Sequence, residues 1–246
     1  MVGEKLAQGV ESGSEKFETI TDFIDPTRII PPEYQYEINC QRRTHKDLNY
    51  PHSEVWSGAG FIDNNIQSDK LKNAITFLEK HLLGNNLVDL GAGYANTIQL
   101  LCKKLGVNTY VKVDDFYQIR PKKAVEENIP SNESNVGDLH IIEAKADMLS
   151  FVTLMKDNSG NFVLNGVDEC VIPSKEYTLA LVNELVRATH LGGIIFGLVS
   201  TEIEKALEII ACQDNSPLVK LDLRRNIGVD TDKYYFPPGS FVFIKK

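Results

Sequence analysis

Four short stretches carry residue types and spacings that could do chemistry. In LVDLGAGYANTIQL, residues 87–100, Asp89 precedes Gly91, Ala92 and Gly93 where the apolar pattern changes from a strand period to a helix period. Gly91 can adopt backbone angles closed to other residues, and Gly93 lets a ligand approach the main chain closely. A carboxylate at this bend repels a pyrophosphate and favours a ligand bearing an ammonium or a sulfonium. The dinucleotide fingerprint GxGxxG would need its third glycine where this chain has Asn96. The second stretch, VKVDD, ends in Asp114 and Asp115, and Asp114 lies 23 residues after Gly91. One carboxylate there offers two acceptor oxygens to the two hydroxyls of a ribose. The third, EAKADMLSF, contains Asp147 and Met148, with Asp147 placed to cap a short helix MLSFVTLM. The fourth, FVLNGVDECVI, brings Asn165, Asp168 and Glu169 to the end of an apolar run. Asp168 or Glu169 could orient or deprotonate an acceptor, or could be solvated loop acids.

These stretches need a scaffold, and the chain alternates accordingly. Residues 68–82 show the apolar spacing of an amphipathic helix, with Ser68 as its N-cap. Strands are predicted at NLVDL, TYVKV, LHIIEA, FVLNGV and IIFGLVS, with helices at ANTIQLLCKKLG, 174–190 and EIEKALEIIAC. LVKLDLR and FVFIKK close the chain as two further strands. Strands alternating with helices imply an α/β fold, a Rossmann-like doubly wound sheet, mostly parallel and covered on both faces. Only a loop joins the last two strands, so that pair is expected to be antiparallel, giving seven strands in all. In such sheets a ligand sits beyond the carboxyl ends of the strands. Residues 1–66, rich in aromatics and carrying Pro26, Pro31, Pro32 and Pro51, read as an irregular cap with short helices, ahead of a main domain at 67–246.

The chain has 246 residues, a formal charge of −8 and 42% hydrophobic residues. This suits one large α/β domain with an appendage. The acidic balance disfavours a nucleic-acid backbone as main partner. Cys40, Cys102, Cys170 and Cys212 form no CxxC pair, so a metal cluster is not indicated. They read as reduced, mostly buried thiols of a cytoplasmic protein. The first residues lack the apolar core of a signal peptide, and the longest apolar stretch is too short to cross a bilayer. Arg187 is expected to make structural ion pairs, and Cys170 to be a core thiol rather than a nucleophile.

Over residues 68–246 the order and spacing of these motifs resemble the class I S-adenosylmethionine-dependent methyltransferases. VDLGAGYA is similar to the family's D-x-G-x-G-x-G motif, with Ala95 in place of the last glycine, and VKVDD is similar to its ribose-binding motif. EAKADMLSF resembles the third motif, and ELVRATHLGGIIFGLV the R-V-L-x-x-G-G stretch. The resemblance implies S-adenosyl-L-methionine as cofactor, held by Asp89, Gly91, Ala92, Gly93, Asp114 and Asp115. It implies that Asp147 binds the adenine amino group, that Met148 packs on the ring, and that Asn165 contacts the cofactor. The fourth strand lacks the N/D-P-P-Y/F motif of enzymes that methylate exocyclic base nitrogens or glutamine amides, which argues against those substrates, and the acidic charge and cap-like N-terminus favour a small-molecule acceptor over nucleic acid. A protein acceptor, a cofactor-binding protein without turnover, and a nicotinamide-dependent oxidoreductase are the competing readings. Residues 50–65, with Gly58 and Gly60, are expected to close over the cofactor, while Tyr234, Tyr235 and Phe236 either wall the acceptor pocket or, as the safer reading, pack on the sheet.

Overall fold

The computed structural model describes residues 19–48, 72–93, 96–115, 129–167, 174–199, 201–222 and 240–246. Among them α1 (Ile20–Phe23), α2 (Pro32–Leu48) and α3 (Lys72–Leu82) precede the first strand. Then follow β1 (Asn86–Leu90), α4 (Thr97–Leu105), β2 (Thr109–Val113), β3 (Ser131–Val136), β4 (Leu139–Ala144) and α5 (Met148–Leu154). The chain continues through β5 (Phe162–Val167), α6 (Lys175–Ala188), β6 (Ile194–Val199), α7 (Thr201–Ala211), β7 (Leu218–Lys220) and β8 (Ser240–Lys245).

The strands form one sheet in the order β3-β4-β2-β1-β5-β6-β8-β7. β4, β2, β1, β5 and β6 are parallel, while β8 runs antiparallel to both β6 and β7. The Rossmann-like, doubly wound arrangement with an antiparallel last strand is therefore present. The strand count is a correction: eight among the described residues, not seven. The additional strand, β3, is SNESNV, an antiparallel edge strand on β4 with Val136 opposite Leu139. Its central residues are solvent-exposed, so no apolar run marks it. Edge strands tolerate such polarity because one side pairs with nothing. The signal that betrays it is the two-residue turn Gly137-Asp138, with Gly137 at φ +69°.

β1 and β2 are buried along their whole length because helices cover both faces of the sheet. Alternation along β1 sends Val88 and Leu90 to one face and Leu87 and Asp89 to the other. The first face packs on α5, α6 and α7 through residues such as Phe151, Leu181 and Leu207. The second packs on α3 and α4 through Leu78, Leu82, Leu101 and Cys102. α4 stops at Gly106, which adopts the left-handed conformation at φ +66°.

The early segment also differs from expectation. α2 has 17 residues and is not a short helix. Its sequence, PEYQYEINCQRRTHKDL, starts with proline at the first helical position and carries a narrow apolar stripe, which hides its period. Ile38 on α2, with Ile20 and Phe23 on α1, joins the same cluster as α5 and α6. Of the three described cysteines only Cys102 is buried; Cys40 is intermediate and Cys212, just past α7, is exposed, so the described thiols are not mostly buried.

β5 and β6 approach each other closely. A Cβ on Gly197 (φ +152°) would lie 1.9 Å from the Leu164 carbonyl oxygen. The register slips between Asn165 and Val167, a bulge at the carboxyl end of β5. Bulges at such ends redirect the side chains that follow.

Candidate cofactor site at the carboxyl edge of the sheet

The turn after β1 is fastened to the end of β2. The Gly91 and Ala92 amides both donate to the Val113 carbonyl, at 2.9 and 3.1 Å. The Gly93 amide donates to Asp114 Oδ2 at 2.9 Å. Gly91 and Gly93 have φ of +73° and +54°, in the region that favours glycine. Their surroundings differ. A Cβ on Gly91 would meet Val167 Cγ2 at 3.3 Å and Met148 Sδ at 3.6 Å, whereas one on Gly93 would meet nothing within 4 Å among the described residues. Gly91 is thus packed against the end of β5 and the start of α5. Three of the four singled-out stretches meet at Gly91, and Asp114, of the remaining stretch, borders them.

Asp89 lies on the α4 face and is only 2% exposed. Tyr110 Oη donates to its Oδ2 at 2.6 Å, while Oδ1 is buried with no hydrogen-bond partner among the described residues. Burial pushes its carboxyl up to about 7, against the hydrogen bond from Tyr110 and the charge of Lys112, with Asp114 adding to the rise. Lys112 stands beside Asp89 in register and pairs with Glu143 on β4 at 3.4 Å, so a row of alternating charge crosses three strands. Asp89 also raises the Cys102 thiol, whose main cause is burial.

Asp147 caps α5 as expected: Oδ1 accepts from the Ser150 amide at 3.1 Å. Its Oδ2 accepts from Tyr177 on α6 at 2.9 Å. Burial raises this carboxyl to about 6, opposed by those two hydrogen bonds. Asp115 is not a bare turn residue. Arg42 of α2 grips both its oxygens, Nε at 3.0 Å and Nη2 at 3.2 Å. Earlier on α2, Glu37 accepts from the Ser174 hydroxyl at 2.5 Å, and Ser174 in turn caps α6. Arg187 is structural, as expected, with Glu184, Asp157 and the Met155 and Val152 carbonyls as partners.

Asn165 lies on β5 at the bulge. Ala95, Asp168, Glu169, Cys170, residues 50–65 and Tyr234, Tyr235 and Phe236 lie outside the described residues. Sequence reasoning missed Tyr110, Arg42 and Tyr177. Strand alternation puts Tyr110 and Lys112 on one face of β2, a signal available in the sequence. Arg42 and Tyr177 reach their partners only through the fold. Among the described residues no group of three or more His, Cys, Asp or Glu is placed to hold a metal ion. No helix among them is long and apolar enough to cross a membrane.

The chain matches no protein-family model and no curated protein. Among solved structures it is similar to an rRNA methylase from Streptococcus thermophilus, at 12% identity and TM-score 0.42, over 70% of this chain and 93% of that one. It is also similar to geranyl diphosphate C-methyltransferase from Streptomyces coelicolor A3(2), solved with Mg2+, geranyl diphosphate and S-adenosyl-L-homocysteine. That match has 15% identity and TM-score 0.40, over 87% of this chain and 97% of the other. A third, phospholethanolamine N-methyltransferase 2 from Haemonchus contortus, gives 11% identity and TM-score 0.42, over 82% and 59%. Identities and scores of this size describe a shared outline of the fold and reach no further.

Proposed function

We propose that the chain is an S-adenosyl-L-methionine-dependent methyltransferase acting on a small molecule. The observation that carries the reading is the junction at Gly91, where the glycine turn, the start of α5 and the end of β5 touch beside Asp114. In this reading Gly93, which lacks a side chain, lets the cofactor backbone approach the main chain, and Asp114 accepts from the ribose hydroxyls. Asp115 borders the ribose. Asp89 Oδ1 is the acceptor left over for the methionyl ammonium, and Ala92 lies along the cofactor's flank. Asp147 and Met148 take the adenine, and Asn165 contacts the cofactor from the bulge.

Methyl transfer from a sulfonium is an in-line displacement. The protein must align the acceptor with the methyl carbon and exclude water. When bound, S-adenosylmethionine would supply the methyl carbon to the acceptor's lone pair, its sulfur taking back the carbon–sulfur electron pair. A base is needed only when the acceptor must shed a proton early. Asp168 and Glu169 are the proposed groups for orientation or proton removal, because they follow Val167, the β5 residue in contact range of Gly91. The net charge of −8 favours a small-molecule acceptor over nucleic acid.

The test is a thermal-shift panel of S-adenosylmethionine, S-adenosylhomocysteine and NAD(H), followed by incubation with fractionated small-molecule extract. Stabilisation by the first two and extract-dependent release of S-adenosylhomocysteine are expected. Stabilisation by NAD(H) alone would overturn the reading. Binding of S-adenosylmethionine with no product from any fraction would reduce the protein to a cofactor binder.

A further inference from the structure

Tyr177 is fully buried on α6, yet its hydroxyl is wholly engaged at the head of α5. It accepts the Leu149 amide at 3.2 Å and donates to Asp147 Oδ2 at 2.9 Å. Because the amide can only donate, the phenolic proton must point to Asp147. The Ser150 amide occupies Oδ1 in the same one-way sense. Both oxygens of Asp147 are therefore bound by donors. A protonated carboxyl would have to turn its own proton away from both. The arrangement keeps Asp147 an acceptor, with the lone pairs not used by these two bonds left for a further donor.

We propose that Tyr177 is a positioning residue that holds Asp147 in its acceptor state and thereby makes the site select a 6-amino purine over a 6-oxo purine. The proposal rests on the reading that adenine binds at Asp147. An adenine amino group donates and matches an ionised carboxylate; a hypoxanthine oxygen accepts and is repelled by it. The choice is delicate because burial raises the Asp147 carboxyl to about 6, and the Tyr177 hydrogen bond is one of the groups opposing that rise. The other charges acting on Asp147 are Asp115, which adds to the rise, and Arg42 of α2, which opposes it. Loss of the phenolic hydroxyl removes a donor to the carboxylate and moves its protonation to higher pH.

The experiment measures affinity for S-adenosylhomocysteine and S-inosylhomocysteine from about pH 5 to pH 8.5, near the Asp147 value and well above it. Wild type, Tyr177→Phe and Asp147→Asn are compared. Wild type is expected to prefer the adenosyl ligand by at least about tenfold at the alkaline end, and to lose that preference on acidification through about pH 6. Tyr177→Phe is expected to shift the loss upward by about one pH unit, the size of one hydrogen bond. Asp147→Asn should show no such titration. A Tyr177→Phe protein with the wild-type midpoint and preference would make the phenol a packing residue and overturn the proposal. If that variant fails to fold, the wild-type preference decides alone: equal affinity for the two ligands at the alkaline end overturns it. Failure of wild type to bind S-adenosylhomocysteine at any pH would instead overturn the functional reading beneath it.

Discussion

At Asp89 a buried carboxylate has one oxygen on Tyr110 and the other without a partner among the described residues. Its value of about 7, against an ordinary 3.8, means the ligand-free fold binds a proton that the unfolded chain has released. The stabilisation is full below about pH 4 and is lost as pH rises through about 7. Asp89→Asn cannot titrate. Wild type should therefore lose stability relative to Asp89→Asn between about pH 4 and 7, by at most a few kcal/mol, in thermal unfolding without cofactor. A constant difference over that range would show that Asp89 keeps its charge in the fold. Asp114 poses a separate question, because it already holds the Gly93 amide. Asp114→Ala should weaken S-adenosylhomocysteine binding by a few kcal/mol, the loss of charge-assisted hydrogen bonds to the ribose. A 2′,3′-dideoxy analogue should lose much less. Equal losses for both ligands would assign Asp114 to the turn alone.

Among the elements, α2 makes two kinds of contact, and they should differ in energy. Ile38 is fully buried against the α5–α6 face, whereas the Arg42–Asp115 pair keeps 45% and 29% of its side chains exposed. Ile38→Ala should cost about 2–5 kcal/mol and Arg42→Ala about 1 kcal/mol or less, by urea denaturation. The reverse order would mean that charge rather than packing docks the helix. α2 also marks how far the sequence could be read. The central strands and the glycine turn were legible because their signals are local: short apolar runs, and Gly91 and Gly93 at a change of period. α2 and β3 were not, because one hides a narrow apolar stripe in a polar helix and the other is a polar edge strand. The site divides in the same way. Asp89, Gly91 and Asp114 announced themselves by spacing, and the N-cap role of Asp147 by its place before an apolar run. Tyr177 lies 30 residues from Asp147 and Arg42 lies 73 from Asp115, distances at which only the fold can pair them.

For the whole molecule, the sheet order brings separate loops to one carboxyl edge, the usual ligand position in doubly wound sheets. Gly91 and Gly93 separate folding from binding there. A side chain at Gly91 would press on Val167 and Met148, while one at Gly93 would meet no atom of the described residues within 4 Å. Gly93→Val would cost backbone strain, roughly 1–3 kcal/mol, and would fill the space assigned to the cofactor. The most direct test of the account is calorimetric titration of S-adenosylhomocysteine into wild type and into Gly93→Val shown to be folded. The account predicts one ligand per chain for wild type and no measurable binding for the variant. Equal affinity in both proteins would contradict it.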